Sequence, residues 1–142
     1  MLPLFACLLL FANCDDNDDT TVEDDTTSNC DSEVLVSASE YAASESDDFM
    51  IDSLEINEDC LEVTYSGGGC DGSTWITRLI DSEQILESFP IQRNLVFELT
   101  DNEDCEALFI RTVFFDISDL KVEDGEVILN IVNAQNSISY ID

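Results

Sequence analysis

Alternation of apolar and polar residues is the feature that most constrains how this chain can fold. Leu61, Val63 and Tyr65 are separated by the polar residues Glu62 and Thr64. Side chains at every second position lie on one face of a β-strand, so this segment is typical of a strand with one buried face. The pattern recurs along the chain with turn residues between its copies. It predicts a domain built from β-strands.

Seven segments carry the strand pattern. They are residues 49–57, 61–65, 75–81, 94–100, 105–115, 125–132 and 137–141. The fifth is apolar on both faces, which is typical of a central strand. Ser66–Gly69 is expected to interrupt the second strand, and 82–87 to form one helical turn capped by Ser82. Strands at this spacing predict an all-β fold, a small antiparallel β-sandwich with an immunoglobulin-like arrangement.

Large apolar side chains are available to fill the core of such a sandwich. They are Trp75, Phe97, Phe109, Phe114 and Phe115. Read as a row for stacking a ligand they would form a binding surface, but burial in the core is the favoured interpretation.

The N-terminus holds an apolar run that ends at a cysteine. Residues 4–12 read LFACLLLFA, and Cys14 is followed directly by acidic residues. The run is shorter than the roughly 20 residues that span a bilayer, but it has the length of the apolar region of an export signal. The switch at Cys14 resembles the lipobox of bacterial lipoproteins, which implies removal of residues 1–13 and lipidation of Cys14. The alternative is a buried apolar strand with a free Cys14.

Two departures from the lipobox pattern concern the first residues. Phe11 and Asn13 are unusual residues at their positions, and Met1–Pro3 contains no Lys or Arg. A basic segment helps to orient an export signal, so we expect a start codon a few residues upstream.

Residues 14–33 are predicted to be a disordered linker that carries a single domain over 34–142. Nine of the 19 residues 15–33 are acidic, and such a segment buries too little apolar surface to offset its ordering entropy. Acidic residues after a lipidated cysteine resemble the surface-export signal of Bacteroidota lipoproteins. This resemblance implies an outer-membrane location facing the medium.

A short glycosylation motif also occurs in this linker. Thr20 and Thr26 lie in Asp-Thr-Thr triplets that resemble the O-glycosylation motif of the same phylum. Ser53, in Asp-Ser-Leu, is a weaker third match. The resemblance implies O-linked glycans at Thr20 and Thr26.

Charge and composition exclude several functions. The chain has 33 acidic residues, four basic residues and no histidine, with a formal net charge of −29. Four cations cannot form a phosphate-binding groove, so nucleic acid is not an expected partner. The absence of histidine removes Ser-His-Asp and Cys-His catalysis and histidine-ligated metals. We expect neither enzymatic activity nor a cofactor.

Clusters of carboxylates are the remaining candidates for metal binding. The two densest are Asp101, Glu103 and Asp104, and Asp116, Asp119, Glu123 and Asp124. Neither has the spacing of an EF-hand loop, so no metal ligand is assigned. Calcium binding at one of them remains an alternative.

Four cysteines remain after Cys7 leaves with the signal and Cys14 receives lipid. An even number in an exported domain predicts two disulfides, and four cysteines allow three pairings. We favour Cys70 with Cys105 and Cys30 with Cys60. The rival Cys₄ zinc site lacks any CxxC pair.

The glycine-rich segment 67–72 is the last candidate site. Successive main-chain N–H groups there could surround an anion, but the segment lacks the lysine of a P-loop. A tight turn beside a disulfide is the favoured interpretation.

From Tyr41 to Tyr140 the chain resembles a group of small flavobacterial lipoproteins. The matching motifs are Asp59-Cys60-Leu61, the Ser66–Cys70 turn, Ser73-Thr74-Trp75, Cys105-Glu106-Ala107 and Phe115-Asp116-Ile117-Ser118. The resemblance implies a lipid-anchored, disulfide-linked β-domain and carries no activity.

The leading functional hypothesis is a non-enzymatic binding or accessory module at the outer membrane. Its partners would be the membrane, through the N-terminal lipid, and a protein or glycan that is not identified. The alternatives are a carboxylate-dependent hydrolase of envelope polysaccharide and a Ca²⁺-stabilised adhesive domain.

Overall fold

The computed structural model describes residues 29–142. The predicted signal peptide, the lipid-accepting Cys14 and the candidate glycosylation sites Thr20 and Thr26 therefore lie outside the described residues. The nine strands are β1 (Ser32–Glu33), β2 (Leu35–Val36), β3 (Phe49–Asn57), β4 (Cys60–Gly69), β5 (Ile76–Leu86), β6 (Ile91–Thr100), β7 (Ala107–Asp116), β8 (Glu126–Val132) and β9 (Ile138–Ile141). A helix α1 (Ala38–Ala42) and a 3₁₀ turn (Ser118–Leu120) complete the elements. None of the helices in this part of the chain is long and apolar enough to cross a membrane.

The strands form two facing sheets, which confirms the predicted β-sandwich. The first sheet has the order β1-β7-β4-β3 and the second has the order β2-β5-β6-β8-β9. Parallel pairing joins β6 to β8, because the chain crosses to the first sheet as β7 before it returns. The structure has nine strands in the described residues and not the predicted seven. The two additional strands, β1 and β2, have only two residues each, which is too short for an alternating pattern to show in the sequence.

The segment 31–36 joins both sheets. Ser32 and Glu33 pair with the end of β7, and Leu35 and Val36 pair with β5. Val34 between them is buried in the core. Ordered structure thus begins before residue 34, because this segment is held by main-chain bonds to β7 and by a disulfide at Cys30.

Apolar side chains from both inner faces fill the space between the sheets. The largest fully buried ones are Phe97, Phe115, Leu61, Leu79, Leu95, Leu99, Ile117, Leu120 and Leu129. Phe97 lies at the centre, in edge contact with Phe49 and Phe115. Of the predicted core residues, Phe97 and Phe115 are buried, whereas Trp75, Phe109 and Phe114 are only partly buried.

Three local predictions are wrong. Residues 82–86 continue β5, across an irregularity in its pairing with β6, and do not form a helical turn. Ser66–Gly69 does not interrupt β4, because it pairs with Ile110–Ala107 of β7. The fifth predicted strand, β7, is not central: β4 lies along its whole length, but β1 covers only Phe115 and Asp116 on its other side.

Helix α1 was missed, although its signal is present. The hydroxyl of Ser37 accepts a hydrogen bond from the main-chain N–H of Glu40, which is the first half of a capping box. The Ser-x-x-Glu spacing is visible in the sequence.

Candidate binding surface

The sandwich has two opposite ends, which are named here by one residue each. The Cys30 end holds the β3–β4 turn, the 3₁₀ turn and the last residue, Asp142, because Ile117 bonds Asp59 and Asp142 bonds Gly125 through the main chain. The Glu103 end holds residues 44–48, 69–75 and 101–106, at the start of β7.

At the Glu103 end, one carboxylate organises a whole turn. Oε1 of Glu103 accepts hydrogen bonds from the main-chain N–H groups of Cys70 at 2.6 Å, Asp71 at 3.0 Å and Gly72 at 3.0 Å. Oε2 accepts from the N–H of Thr74 at 3.3 Å and from its hydroxyl at 2.9 Å. Gly72 has a φ of +71°, the left-handed conformation that lets successive N–H groups converge.

The anion-binding turn suspected in 67–72 therefore exists, slightly later in the chain, and is filled by the protein itself. Hydrogen bonds from the N–H groups of Asp71 and Gly72 are the main reason why the pKa of Glu103 falls to about 2. Because Glu103 already occupies the turn, an external anion has no vacant position there.

A disulfide fixes the same region covalently. Cys70 is bonded to Cys105, with an S–S distance of 1.96 Å, and these residues flank the carboxylate and its turn in the sequence. The other disulfide joins Cys30 to Cys60, with an S–S distance of 1.87 Å. These are the two pairs favoured from the sequence.

The ring of Trp75 packs against the turn on its inner side, between the turn and Tyr65. Trp75 contacts the ring of Tyr65, and a methyl group added at Gly69 would lie only 2.9 Å from Trp75 Cζ2. The guanidinium of Arg111 donates to the main-chain oxygen of Asp71 from the outside. The turn is thus held from three directions: by Glu103, Trp75 and Arg111.

The carboxylates proposed for calcium are not gathered into a site. Glu103 is used by the turn, and Asp101 accepts a hydrogen bond from the N–H of Glu103 at 2.8 Å. Asp116 likewise accepts from the N–H of Ser118 at 2.9 Å. Within residues 29–142 no group of three or more potential ligands is arranged to hold a metal ion.

At the Cys30 end, four side chains form a polar network. Asp59 accepts hydrogen bonds from Lys121 Nζ at 2.8 Å and from the Tyr140 hydroxyl at 2.6 Å, and Lys121 also contacts Asp142. The bonds from Lys121 and Tyr140 lower the pKa of Asp59. Burial, with the nearby Asp59, raises the pKa of Tyr140.

An apolar groove opens beside this network. Phe89 is fully exposed at its rim, and Ile91, Val122 and Ile141 contribute further apolar surface. Glu123, Asp124, Glu126 and Asp142 add carboxylates around it. Phe89 is not predictable from the sequence as a surface residue, because no local pattern marks an aromatic side chain that its turn leaves uncovered.

The four cations stabilise the fold and do not form a patch. Arg93 forms a buried ion pair with Asp81, while Arg78 joins Glu98 of β6 to Glu40 of α1. Arg111 donates to the main chain of Asp71 at the Glu103 end, and Lys121 pairs with Asp59 at the Cys30 end.

The third candidate glycosylation residue is the only one that the structure places. Ser53 is exposed and lies at a pairing irregularity in β3. Its strand pairs with β4, Ser53 lying opposite Thr64.

The arrangement favours acceptance of hydrogen bonds over proton transfer. Asp59, Asp71 and Glu103 all have a lowered pKa; that of Asp71 follows from its hydrogen bonds with Ser73. A general acid needs the opposite shift. These three carboxyl groups are therefore structural acceptors.

Comparison with known proteins shows the fold and nothing more specific. No protein-family model matches the chain, and no curated protein matches it. A NigD-like immunity protein from Bacteroides caccae shares the fold with a TM-score of 0.55 and 8% identity, over 77% of this chain and 58% of that one.

Two further solved structures are less similar in shape. A DUF1344 protein of unknown function from Bacteroides vulgatus matches with a TM-score of 0.49 and 16% identity, over 78% of this chain and 56% of that chain. A toxin-related protein from Parabacteroides distasonis matches with a TM-score of 0.48 and 17% identity, over 75% and 59%. The chain thus spans a little over half of each of these proteins.

Proposed function

We propose that the protein is a non-enzymatic binding module, anchored in the outer membrane by lipid on Cys14 and facing the medium. The acidic linker carries the sandwich away from the lipid, and the sandwich contacts a protein or glycan partner. The acidic composition and the position of Cys14 support the anchor. The fold supports a module that displays loops.

The observation that carries the binding role is the rigid turn at the Glu103 end. One carboxylate, the Cys70–Cys105 disulfide and the ring of Trp75 hold residues 70–74 in place. A loop that is ordered before binding loses less entropy when a partner arrives. This end lies opposite Cys30, where the linker joins, and is therefore the end presented to a partner.

The charge of the Glu103 end indicates what it contacts. Carboxylates line a shallow concavity there: Asp47, Asp48, Asp101, Asp104 and Glu106. In a protein of net charge −29 such a surface favours a partner with basic groups and opposes anionic polymers.

The non-enzymatic role rests on chemistry. The chain has no histidine, and the carboxyl groups of the Glu103 turn are held in their charged form. Hydrolysis by paired carboxylates requires one of them to be a proton donor near neutral pH.

Cross-linking on intact cells tests the binding surface. We would compare the full chain with Asp48→Asn/Asp104→Asn, since neither side chain makes a hydrogen bond or ion pair in the described part of the chain. The matched control is Glu123→Gln/Asp124→Asn at the Cys30 end. Recovery of the cross-linked partner should fall several-fold for the first pair only. Equal recovery from all three proteins would refute the assignment.

Mass spectrometry of the native protein tests the anchor separately. The expected product begins at Cys14 and carries the mass of fatty acyl chains. A native chain that retains residues 1–13 with an unmodified Cys14 would contradict the anchor without affecting the binding surface.

A further inference from the structure

Strand β7 has the sequence of a central strand but the position of an edge strand. Leu108 and Ile110 lie on one face and Phe109 and Val113 on the other, with Arg111 and Thr112 as the polar residues between them. Strand β4 pairs with β7 on one side. On the other side β1 pairs only with Phe115 and Asp116. Among residues 29–142, no strand pairs with this side of β7 between Ala107 and Val113.

The main-chain groups along this open edge can be identified. Phe114 directs both its N–H and its C=O away from β4, toward Asp31, and Asp116 directs its C=O to Val34. Alternate residues of an antiparallel strand point their groups the same way. Leu108, Ile110 and Thr112 therefore present their N–H and C=O groups to the open edge.

The chain's own N-terminal segment turns away from this edge. Cys30 is bonded to Cys60 on β4, which lies on the other side of β7. Within residues 29–142, the contact of this segment with β7 consequently stops at Asp31, and no described residue covers the edge before Phe114.

The other edge strands carry the devices that normally prevent pairing with a second chain. Strand β3 has an irregularity between Ile51 and Ser53, and β9 has only four residues. Strand β5 is covered at its middle by β2, and α1 is bonded to it through Arg78. Short strands, irregularities and covering elements all block strand addition. Between Ala107 and Val113, β7 has none of them.

The side chains beside the open edge are apolar and exposed. Leu108 is 74% exposed and Ile110 is 64% exposed, both on the outer face of the sheet. Gly68 lies across from Leu108 on β4 and adds no side chain, so this face is flat. Exposed aliphatic residues on a flat edge strand are typical of a surface that another strand covers.

We propose that two copies of this chain pair through β7, in antiparallel register about a twofold axis at Ile110. In this register Ile110 faces Ile110 of the partner subunit, and Leu108 faces the partner's Thr112. The three outward-pointing residues of each copy would then make about six main-chain hydrogen bonds. The two first sheets become one continuous sheet.

Charge permits a second copy along this edge. The segment 107–113 has no acidic residue and contains Arg111, in a chain with 33 carboxylates. The twofold places Arg111 opposite Phe109 of the partner subunit, so a cation meets an aromatic ring instead of another cation. The two copies approach along a segment in which no carboxylates oppose each other.

The net charge makes the association depend on salt. Two molecules of −29 repel at low ionic strength, and salt shortens the range of that repulsion to about 8 Å near physiological conditions. A contact limited to one strand edge is also small, since stable interfaces bury roughly 1,200–2,000 Å². The dimer is therefore weak and becomes stronger as salt is added.

Cysteine cross-linking in the full chain tests the proposal. Paired Ile110 residues would have Cα atoms about 5.5 Å apart, inside the disulfide range of roughly 4.4–6.8 Å. Ile110→Cys, oxidised with copper phenanthroline at high salt, should give a covalent homodimer on a non-reducing gel. Ile76→Cys, an equally exposed isoleucine on the other sheet, is the matched control and should stay monomeric.

A second set of measurements tests the register in which the two β7 strands pair and whether the open edge binds a second copy of this chain. A mixture of Leu108→Cys and Thr112→Cys should cross-link, whereas each alone should cross-link much less. Ile110→Lys should abolish the rise in sedimentation coefficient that salt produces in the unaltered chain. A monomeric Ile110→Cys, equal yields from Ile76→Cys, or an adduct with a different protein would overturn the self-pairing.

Discussion

Arg93 donates two hydrogen bonds to Asp81, from Nε to Oδ2 at 2.9 Å and from Nη2 to Oδ1 at 2.6 Å. The Asp81 side chain is 0% exposed and that of Arg93 is 10% exposed. Asp81 also accepts the N–H of Glu83 at 2.8 Å, where the φ of Glu83 is +63°. One ion pair thus holds the irregular part of β5 against β6.

Removal of one member of this pair should be strongly destabilising. Arg93→Met leaves the Asp81 carboxylate buried without its cation, and we expect a loss of about 3–5 kcal/mol in the free energy of unfolding. Urea denaturation measures it. In the Asp81→Leu/Arg93→Met double variant much of the loss should return, because no charge stays buried. A loss below about 1 kcal/mol for Arg93→Met would mean that water reaches Asp81.

The stability of the protein should depend on pH through Glu103. Its folded-state pKa of about 2 lies below the value near 4.5 expected when unfolded, so its contribution is present above about pH 4.5. That contribution is lost as the pH falls toward 2, since the neutral acid no longer accepts the bonds of the turn. We therefore expect the difference in urea midpoint between the unaltered chain and Glu103→Gln to shrink between pH 5 and 2.

The control for this pH dependence is a neighbouring carboxylate. Glu106 lies three residues away, and its side chain makes no hydrogen bond or ion pair within the described residues. Glu106→Gln should keep the acid-induced loss of stability seen in the unaltered chain. If both variants lost the acid-induced fall in stability to the same extent, the net charge of the protein would be responsible, and not the hydrogen bonds of the turn.

The strands were predictable because their signal is local. The bounds of β3 match the sequence prediction at both ends, and Phe97 and Phe115 are buried as expected. The sequence predicts a helical turn over residues 82–87 because Ser82 resembles a helix cap. What decides their conformation is Asp81 beneath Arg93, a contact from the next strand that the local sequence does not show.

The site was less predictable because its parts are distant in the chain. Glu103 is 29–33 residues away from the N–H groups that it binds, and nothing near Glu103 in the sequence marks it as their acceptor. The apolar character of β7 was visible, but its place at an edge follows from the short β1. Sequence patterns report whether a strand can be buried and not which strands lie beside it.

Loss of either disulfide should lower the free energy of unfolding by a similar amount. The two losses should expose different parts of the main chain to hydrogen exchange. The bridges span 30 and 35 residues, and the chain-entropy model gives about 3–4 kcal/mol for each. Removal of Cys30–Cys60 as a double alanine variant should expose the amides of β1 to hydrogen exchange. Removal of Cys70–Cys105 should instead expose those of residues 70–74. Exchange that rises equally everywhere in both variants would contradict this local assignment.

Two adjacent glycines should respond in opposite ways to the same substitution. A Cβ at Gly69 would lie 2.9 Å from both Glu103 Oε1 and Trp75 Cζ2, so Gly69→Ala must displace the ring or the carboxylate. We expect it to cost about 1–3 kcal/mol, as overpacking does. A Cβ at Gly68 would meet only Glu106 Cα, at 3.9 Å. Gly68→Ala should therefore stabilise β4 by about 0.5–1 kcal/mol, because alanine loses less backbone entropy on folding.

Urea unfolding of the two variants under identical conditions decides whether the Glu103 turn is rigid. If the turn yields easily, the contacts at Gly69 relax and both alanines stabilise the strand. If it is held by the disulfide, the carboxylate and the ring together, only Gly68→Ala does. A turn that yields would also remove the reason to expect the Glu103 end to be ordered before a partner binds, since its preorganisation depends on the same three contacts.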